Sequence, residues 1–226
     1  MSWLPESASS FAPQLDRLML AITLIVGAWF LVAEAVLVTF VIRYRRRPGR
    51  RAAYLPATGL RSMAFVLVPC VVILGFDLVI DAMGAQAWEE IKLELPPHDE
   101  LVRIQGEAWQ WRFTHAGVDG KLDTADDVQT VNELHVSVEK TVLFELTARD
   151  VLHSLWVPQL RLKQDAVPGR TIRGWFRATR EGQYPVICAE ICGIAHTFMQ
   201  GALHVESEAA FRQWLESKAA PAPAQG

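Results

Sequence analysis

What the sequence lacks narrows its class first. Three cysteines in a chain of 226 residues are too few for a disulfide scaffold. No Cys-x-x-Cys-His occurs, which excludes a covalently attached c-type haem. No internal repeat is visible, so a solenoid or propeller is excluded. The formal net charge of -3 leaves no bulk basic excess, and nucleic acid is not an expected partner. The signs are unevenly spread, however. Arginines crowd one early stretch and carboxylates gather later, as in proteins that meet a membrane or a charged partner.

What is present begins with two apolar runs, Leu18–Ile42 and Met63–Val79. A helix of roughly 20 apolar residues crosses a bilayer core. Neither run has the one-sided pattern of a surface helix. A chain this size could hardly cover two such helices with protein. The reading is a transmembrane hairpin over residues 1–87, with spans at about 18–42 and 62–84 and membrane lipid around them. Positive charge follows the first run, at Arg43, Arg45, Arg46, Arg47, Arg50 and Arg51, so the run reads as a retained span and not a cleaved signal. Short loops rich in arginine stay in the cytoplasm. The link Arg43–Arg61 is therefore expected inside. The N-terminus and everything after Gly84 are expected outside, which in a bacterium is the periplasmic face of the inner membrane. Trp88 stands where an interfacial anchor would. Glu34 is an ionisable group within the first run. Such a residue faces a protein partner, a cavity or an ion path, or stays neutral and hydrogen-bonded to a neighbouring helix.

After Pro96 the pattern changes to short strands, Leu101–Gln105, Asn132–Val138, Val142–Ala148, Thr171–Phe176 and Ala202–Glu206. Turn-forming clusters at Ala116–Gly120, Ala166–Arg170 and Arg180–Gln183 separate them. Several short strands at such spacing imply a β-sandwich or barrel over residues 88–218. Ser207 is placed to cap a last helix whose Phe211, Trp214 and Leu215 face the core. The Ala/Pro-rich end, residues 219–226, reads as a disordered tail.

The chemistry is concentrated in Cys188-Ala-Glu-Ile-Cys192-Gly-Ile-Ala-His196-Thr-Phe-Met199. Thiolate and thioether are soft ligands that suit reduced copper, and imidazole suits both copper states. A further imidazole, His153, stands just after a strand. Joining a distant histidine to a Cys-His-Met loop is how cupredoxin-like sandwiches build copper sites, an analogy of fold. One cysteine more than a mononuclear blue-copper site needs is present. Two cysteines, two histidines and a methionine fit two copper ions that share bridging thiolates. A Cys188–Cys192 disulfide and a Cys2His2 zinc site remain open on the residues alone.

The loop Cys188–Met199 resembles subunit II of cytochrome c oxidase. So do Asp150-Val-Leu-His-Ser-Leu-Trp-Val-Pro158, Lys163-Gln-Asp-Ala-Val-Pro-Gly-Arg170 and Gly106-Glu-Ala-Trp-Gln-Trp111. The two spans match that family's anchor, so the resemblance covers nearly the whole chain. It implies a two-helix transmembrane hairpin followed by an all-β cupredoxin-like sandwich. It also implies a dinuclear copper (CuA) centre bridged by Cys188 and Cys192. His153 and His196 would bind one copper each, with Met199 and the Glu190 carbonyl as weak ligands. The Glu190 carboxylate would reach a magnesium ion shared with the haem–copper catalytic subunit I. Trp109 would admit electrons from a cytochrome c, and other oxidase subunits would be partners. Both spans lack histidine, so the oxygen-reducing site is expected in the catalytic subunit.

The sequence departs from the family at Gly59-Leu-Arg-Ser-Met63, where a glutamate associated with proton uptake often stands. Donor docking is expected on carboxylates around Trp109, drawn from Asp119, Asp123, Asp126, Asp127, Asp150 and Asp165. A solvated hairpin tip is the plainer reading of Asp119–Asp127, which does not match an EF-hand loop. Three other functions remain in view. A membrane-tethered copper chaperone would have one span and a thioredoxin-like pattern. The dicopper domain of a nitrogen-oxide reductase would share the ligands. A tethered structural protein would join Cys188 to Cys192.

Overall fold

The computed structural model describes residues 4–52, 54 and 58–218. The tail expected at residues 219–226 lies outside them. Two units are distinct: residues 14–88 form one, and residues 4–13 with 89–218 form the other.

The first unit is a pair of long helices, α1 (Ala12–Tyr44) and α2 (Leu60–Trp88). Both run beyond the apolar segments from which they are expected. Their most apolar windows have mean hydropathies of 2.4 and 2.7, and nothing in those windows is buried in protein. Apolar surface on every side suits lipid and not water. Trp29 and Phe76 meet edge to face, with ring centroids 6.4 Å apart. Glu34 is exposed on the surface of α1.

The second unit is a sandwich of two five-stranded sheets. One has the order β3-β2-β1-β5-β8, built from Val128–Val131, Gln110–His115, Glu100–Glu107, Thr141–Ala148 and Ile172–Arg177. The other has the order β4-β10-β9-β6-β7, built from Glu133–Ser137, Gln200–Glu206, Gly182–Cys188, His153–Val157 and Leu162–Ala166. β1 runs parallel to β5 and β4 to β10, while all other pairs are antiparallel. Alternate residues point inward, as the two-residue period of a strand requires. Ile104, Trp111, Phe113, Phe144 and Phe176 of the first sheet and Leu134, Val136, Leu155, Val186 and Leu203 of the second are all buried. The expected hairpin followed by a cupredoxin-like sandwich is what the structure has.

The strands expected from alternation are present, but β2, β3, β6, β7 and β9 are not legible as such. β9 contains Pro185, which argues against a central strand. It is accommodated because β6 pairs with β9 only at Ile187 and Cys188, beyond the proline. β7 is an edge strand, and its Lys163 and Asp165 are the charged residues that such an edge carries.

Residues 8–11 and the last helix brace the sandwich. The Ala8 N–H donates to the Gln159 carbonyl at 2.9 Å, the Ser9 hydroxyl donates to the Leu160 carbonyl at 2.7 Å, and Phe11 meets Trp175 edge-on. At the other end Ser207 caps α3 (Glu208–Lys218), its Oγ accepting from the Ala210 N–H at 3.3 Å. Phe211 and Leu215 pack on Val128, and Trp214 stacks on His135 at 4.1 Å.

The strand directions gather five connections at one end: β1–β2, β3–β4, β5–β6, β7–β8 and β9–β10. The Asp-rich β2–β3 connection, residues 116–127, closes the other end.

Candidate metal centre

The long β9–β10 connection, residues 189–199, carries most of the candidate ligands. β9 delivers Cys188 at its last position, and the Cys188 N–H donates to the Met199 carbonyl at 3.2 Å, closing the loop on itself. β6 pairs with β9 through Leu155 and Cys188, so its first residue, His153, arrives beside the same cysteine. A second clamp joins the Ala189 N–H to the Ser154 carbonyl at 2.9 Å. Ladder hydrogen bonds thus bring together residues that are far apart in the chain.

The donor atoms converge. The two sulfurs, Cys188 Sγ and Cys192 Sγ, are 3.7 Å apart. That is far beyond a disulfide bond of about 2.05 Å, and both cysteines are free and buried. His153 Nδ1 is 4.0 Å from Cys188 Sγ, and His196 Nδ1 is 3.6 Å from Cys192 Sγ. Met199 Sδ lies 3.8 Å from Cys192 Sγ, and the Glu190 carbonyl accepts from the Cys188 thiol at 3.2 Å. His153, Cys188 and Cys192 alone satisfy the spacing of a metal-holding cluster, and it is the one such cluster among the described residues. His196 extends it beyond the second sulfur, from a short 3-10 turn. Each sulfur therefore has an imidazole nitrogen of its own within 4.0 Å. Metal bonds to nitrogen and sulfur are roughly 2.0–2.3 Å, so donors separated by 3.6–4.0 Å have room for an ion between them.

The His153 ring is fixed from three sides. Its Nε2 is 2.8 Å from Asp150 Oδ1. An ionised carboxylate can only accept, so Nε2 carries the proton and the Nδ1 lone pair is left facing Cys188. Gly106 closes a second side, where an added Cβ would sit 2.9 Å from His153 Cδ2. Trp111, fully buried, meets the ring edge to face at 6.0 Å. Burial works to raise the Asp150 pKa. Hydrogen bonds from His153 and from the Ala108 and Val151 N–H groups outweigh it and hold the carboxyl at about 2. Burial and then the neighbouring Cys188 thiol push the Cys192 thiol up to about 11. Both effects favour the neutral thiol at Cys192, so a metal ion bound there has a proton to displace.

Trp109 lies on the β1–β2 turn above the centre. Its Nε1 donates to the Cys192 carbonyl at 3.2 Å, while the ring is 39% exposed, so one side chain reaches from solvent to the backbone of a candidate ligand. Gly193 has φ +124°, and an added Cβ would come 3.1 Å from Trp109 Nε1, so that contact needs a glycine.

Of the carboxylates expected around Trp109, only Asp150 and Asp165 stand at its end of the sandwich. Asp119, Asp123, Asp126 and Asp127 belong to the connection at the far end of β2, while Trp109 precedes its near end. Six residues of extended strand separate them by roughly 20 Å. Asp123 is held by Arg103 at 2.7 Å. Asp150 is committed to His153 and the Ala108 N–H, and Asp165 accepts from Ser154. Asp150, expected as a docking charge, also orients His153. The three-residue spacing between the two is the signal in the sequence that could have shown it.

The family described as cytochrome C oxidase subunit II, periplasmic domain, matches residues 101–206. The chain is 33% identical to cytochrome c oxidase subunit 2 of Thermostichus vulcanus, over 98% of this chain and 80% of the relative. It is also 33% identical to alternative cytochrome c oxidase subunit 2 of Bradyrhizobium diazoefficiens, over 79% of this chain and 70% of the relative. A similar solved structure is the periplasmic domain of subunit II of cytochrome oxidase (CoxB) of Bradyrhizobium japonicum. It is 26% identical, with a TM-score of 0.50, over 55% of this chain and 96% of that one.

Proposed function

Since the chain belongs to the cytochrome c oxidase subunit II family, we propose that it accepts electrons from a cytochrome c at a dinuclear copper centre and passes them to the haem–copper catalytic subunit, where oxygen is reduced to water. Catalysis belongs to the assembled oxidase, of which this chain is one subunit. The observation that carries the reading is the pair of free, buried sulfurs 3.7 Å apart, each with its own imidazole nitrogen within 4.0 Å.

Cys188 and Cys192 would hold the copper pair jointly, with His153 at one end and His196 at the other. Met199 and the Glu190 carbonyl would be the weak ligands. When bound, the copper pair supplies a one-electron acceptor. The chain's own residues do the rest. Asp150 fixes the His153 tautomer, Gly106 and Trp111 fix its ring, and the buried Met199 keeps water from the sulfurs. Trp109 would admit electrons, because its part-exposed side chain joins solvent to the Cys192 carbonyl by one hydrogen bond. A magnesium ion shared with the catalytic subunit would take the Glu190 carboxylate; this part rests on the family resemblance and on the half-buried place of Glu190 in the ligand loop.

The exposed apolar helices would anchor the chain, in contact with lipid and the catalytic subunit. The arginine-rich link, residues 43–61, would lie in the cytoplasm and the sandwich on the periplasmic side.

Rapid mixing of reduced cytochrome c with the purified oxidase tests the electron-accepting role. Trp109→Ala should slow copper reduction at least tenfold without changing the copper content. Unaltered reduction kinetics in that variant would remove Trp109 from the route.

A further inference from the structure

The β1–β2 turn is Ala108 and Trp109, between the paired residues Glu107 and Gln110. Its direction decides whether the indole meets the Cys192 carbonyl. Three ties hold the turn against the β5–β6 connection, residues 149–152. The Arg149 N–H donates to the Gly106 carbonyl at 2.9 Å, and the Ala108 N–H donates to Asp150 Oδ2 at 2.7 Å. The third tie is made by the Glu107 side chain, which is buried although it is a carboxylate. Its Oε1 accepts from Gln110 Nε2 and from Arg112 Nη2, the latter at 2.7 Å, and its Oε2 accepts from Arg149 Nη1 at 3.0 Å. The hydrogen bond from Gln110, ahead of those from Arg112 and Arg149, holds its pKa below the ordinary 4.5 against the effect of burial. Glu107 is therefore ionised at neutral pH and acts only as an acceptor. Gln110 and Arg112 stand on β2, while Arg149 stands on the β5–β6 connection. One carboxylate thus joins both arms of the hairpin to a neighbouring connection by charge-assisted bonds, which are stronger than neutral ones. It also separates two guanidinium groups that both lie within 3.0 Å of it and would otherwise repel each other.

We infer that Glu107 is a positioning residue for electron entry: through Arg112 and Arg149 it locks the β1–β2 turn to the β5–β6 connection and so keeps the Trp109 indole on the Cys192 carbonyl. The inference rests on the electron-accepting reading above and adds a supporting residue to it. The hydrogen bonds of Glu107 reach no candidate ligand, so its effect on the centre passes through the turn. Electron tunnelling falls steeply with separation. A turn that swings free therefore loses rate while the metal-binding residues stay in place.

The test uses the whole purified oxidase with Glu107→Gln. Arg149→Gln is the second variant; its side chain is 69% exposed, so the oxidase folds with it even where Glu107→Gln does not. Reduced cytochrome c is mixed with each, and the maximal rate of copper reduction is separated from KM. Glu107→Gln should lower the maximal rate about fivefold or more, at low and high salt alike, with copper content and visible spectrum unchanged. Arg149→Gln should lower it in the same sense. The double variant should be within about twofold of the slower single variant, because the two residues act as one unit. Amide hydrogen exchange gives a readout independent of electron transfer. Peptides covering residues 106–112 should exchange about tenfold faster or more in either variant, while those of β9 keep their protection. Four results would overturn the inference: unchanged exchange in residues 106–112, an unchanged maximal rate, a loss confined to KM that disappears at high salt and is thus a charge effect on the donor, or losses that multiply in the double variant. Each can occur with the dicopper spectrum present, which leaves the electron-accepting reading standing. Absence of that spectrum from the unmodified oxidase would strike the reading itself.

Discussion

Asp150 Oδ1 lies 2.8 Å from His153 Nε2, and this one hydrogen bond decides which nitrogen of the ring faces the sulfurs. The same carboxylate accepts from the Ala108 N–H at 2.7 Å, at the residue before Trp109. One side chain therefore ties a candidate ligand to the turn that carries the exposed indole.

Asp150→Asn should weaken the metal centre without unfolding the chain. The amide can still meet His153, but it no longer holds the ring by charge. Loss of such a partner typically lowers metal affinity roughly 10- to 100-fold. Copper retention against a competing chelator, compared with the unmodified protein, measures this; equal retention would show that Asp150 has no part in holding the ligand.

Gly106→Ala should disturb His153 directly. Its Cβ would sit 2.9 Å from Cδ2 and 3.0 Å from Cγ of that ring, closer than Cβ contacts normally come. The ring must move or β1 must shift, at a cost of about 1–3 kcal/mol. A lower thermal midpoint together with an altered visible spectrum is expected. A lower midpoint with an unchanged spectrum would mean that β1 yields and the ligand does not.

Stability should also depend on pH through Glu100. Burial raises its pKa from 4.5 to about 7, against the hydrogen bonds from Ser137. The folded-state value lies above the unfolded one, so the folded chain binds the extra proton. The favourable contribution is complete below pH 4.5 and is lost as pH rises through 7. Glu100→Gln should therefore be the more stable protein at pH 8, by roughly 2 kcal/mol, with the gap narrowing toward pH 5. Thermal unfolding of the two proteins across that range checks the sign. A gap that widens on acidification would contradict the assignment.

The membrane helices are legible in the sequence because an uncharged apolar run of that length suits a bilayer and little else. The convergent cluster of candidate ligands is legible because soft donors at that spacing are rare. Strand alternation exposes β1, β5 and β8 but not β9, whose proline is tolerated only because β6 stops pairing before it. Which residues support the ligands is not legible. Gly106 matters because β1 passes His153, and Asp150 matters because the β5–β6 connection folds back on it. Both facts depend on how the two sheets face each other. The charge pattern misleads for the same reason. Asp119–Asp127 and Trp109 are neighbours in sequence, yet β2 carries them to opposite ends of the sandwich.

Copper content and visible absorption of the purified protein, measured beside its Cys192→Ser variant, test the central claim most directly. The account predicts two copper ions per chain with a strong thiolate absorption in the unmodified protein. It predicts loss of the dinuclear spectrum in the variant, because each sulfur is needed to hold the pair. A Cys192→Ser protein that keeps its full copper and an unchanged spectrum would contradict it.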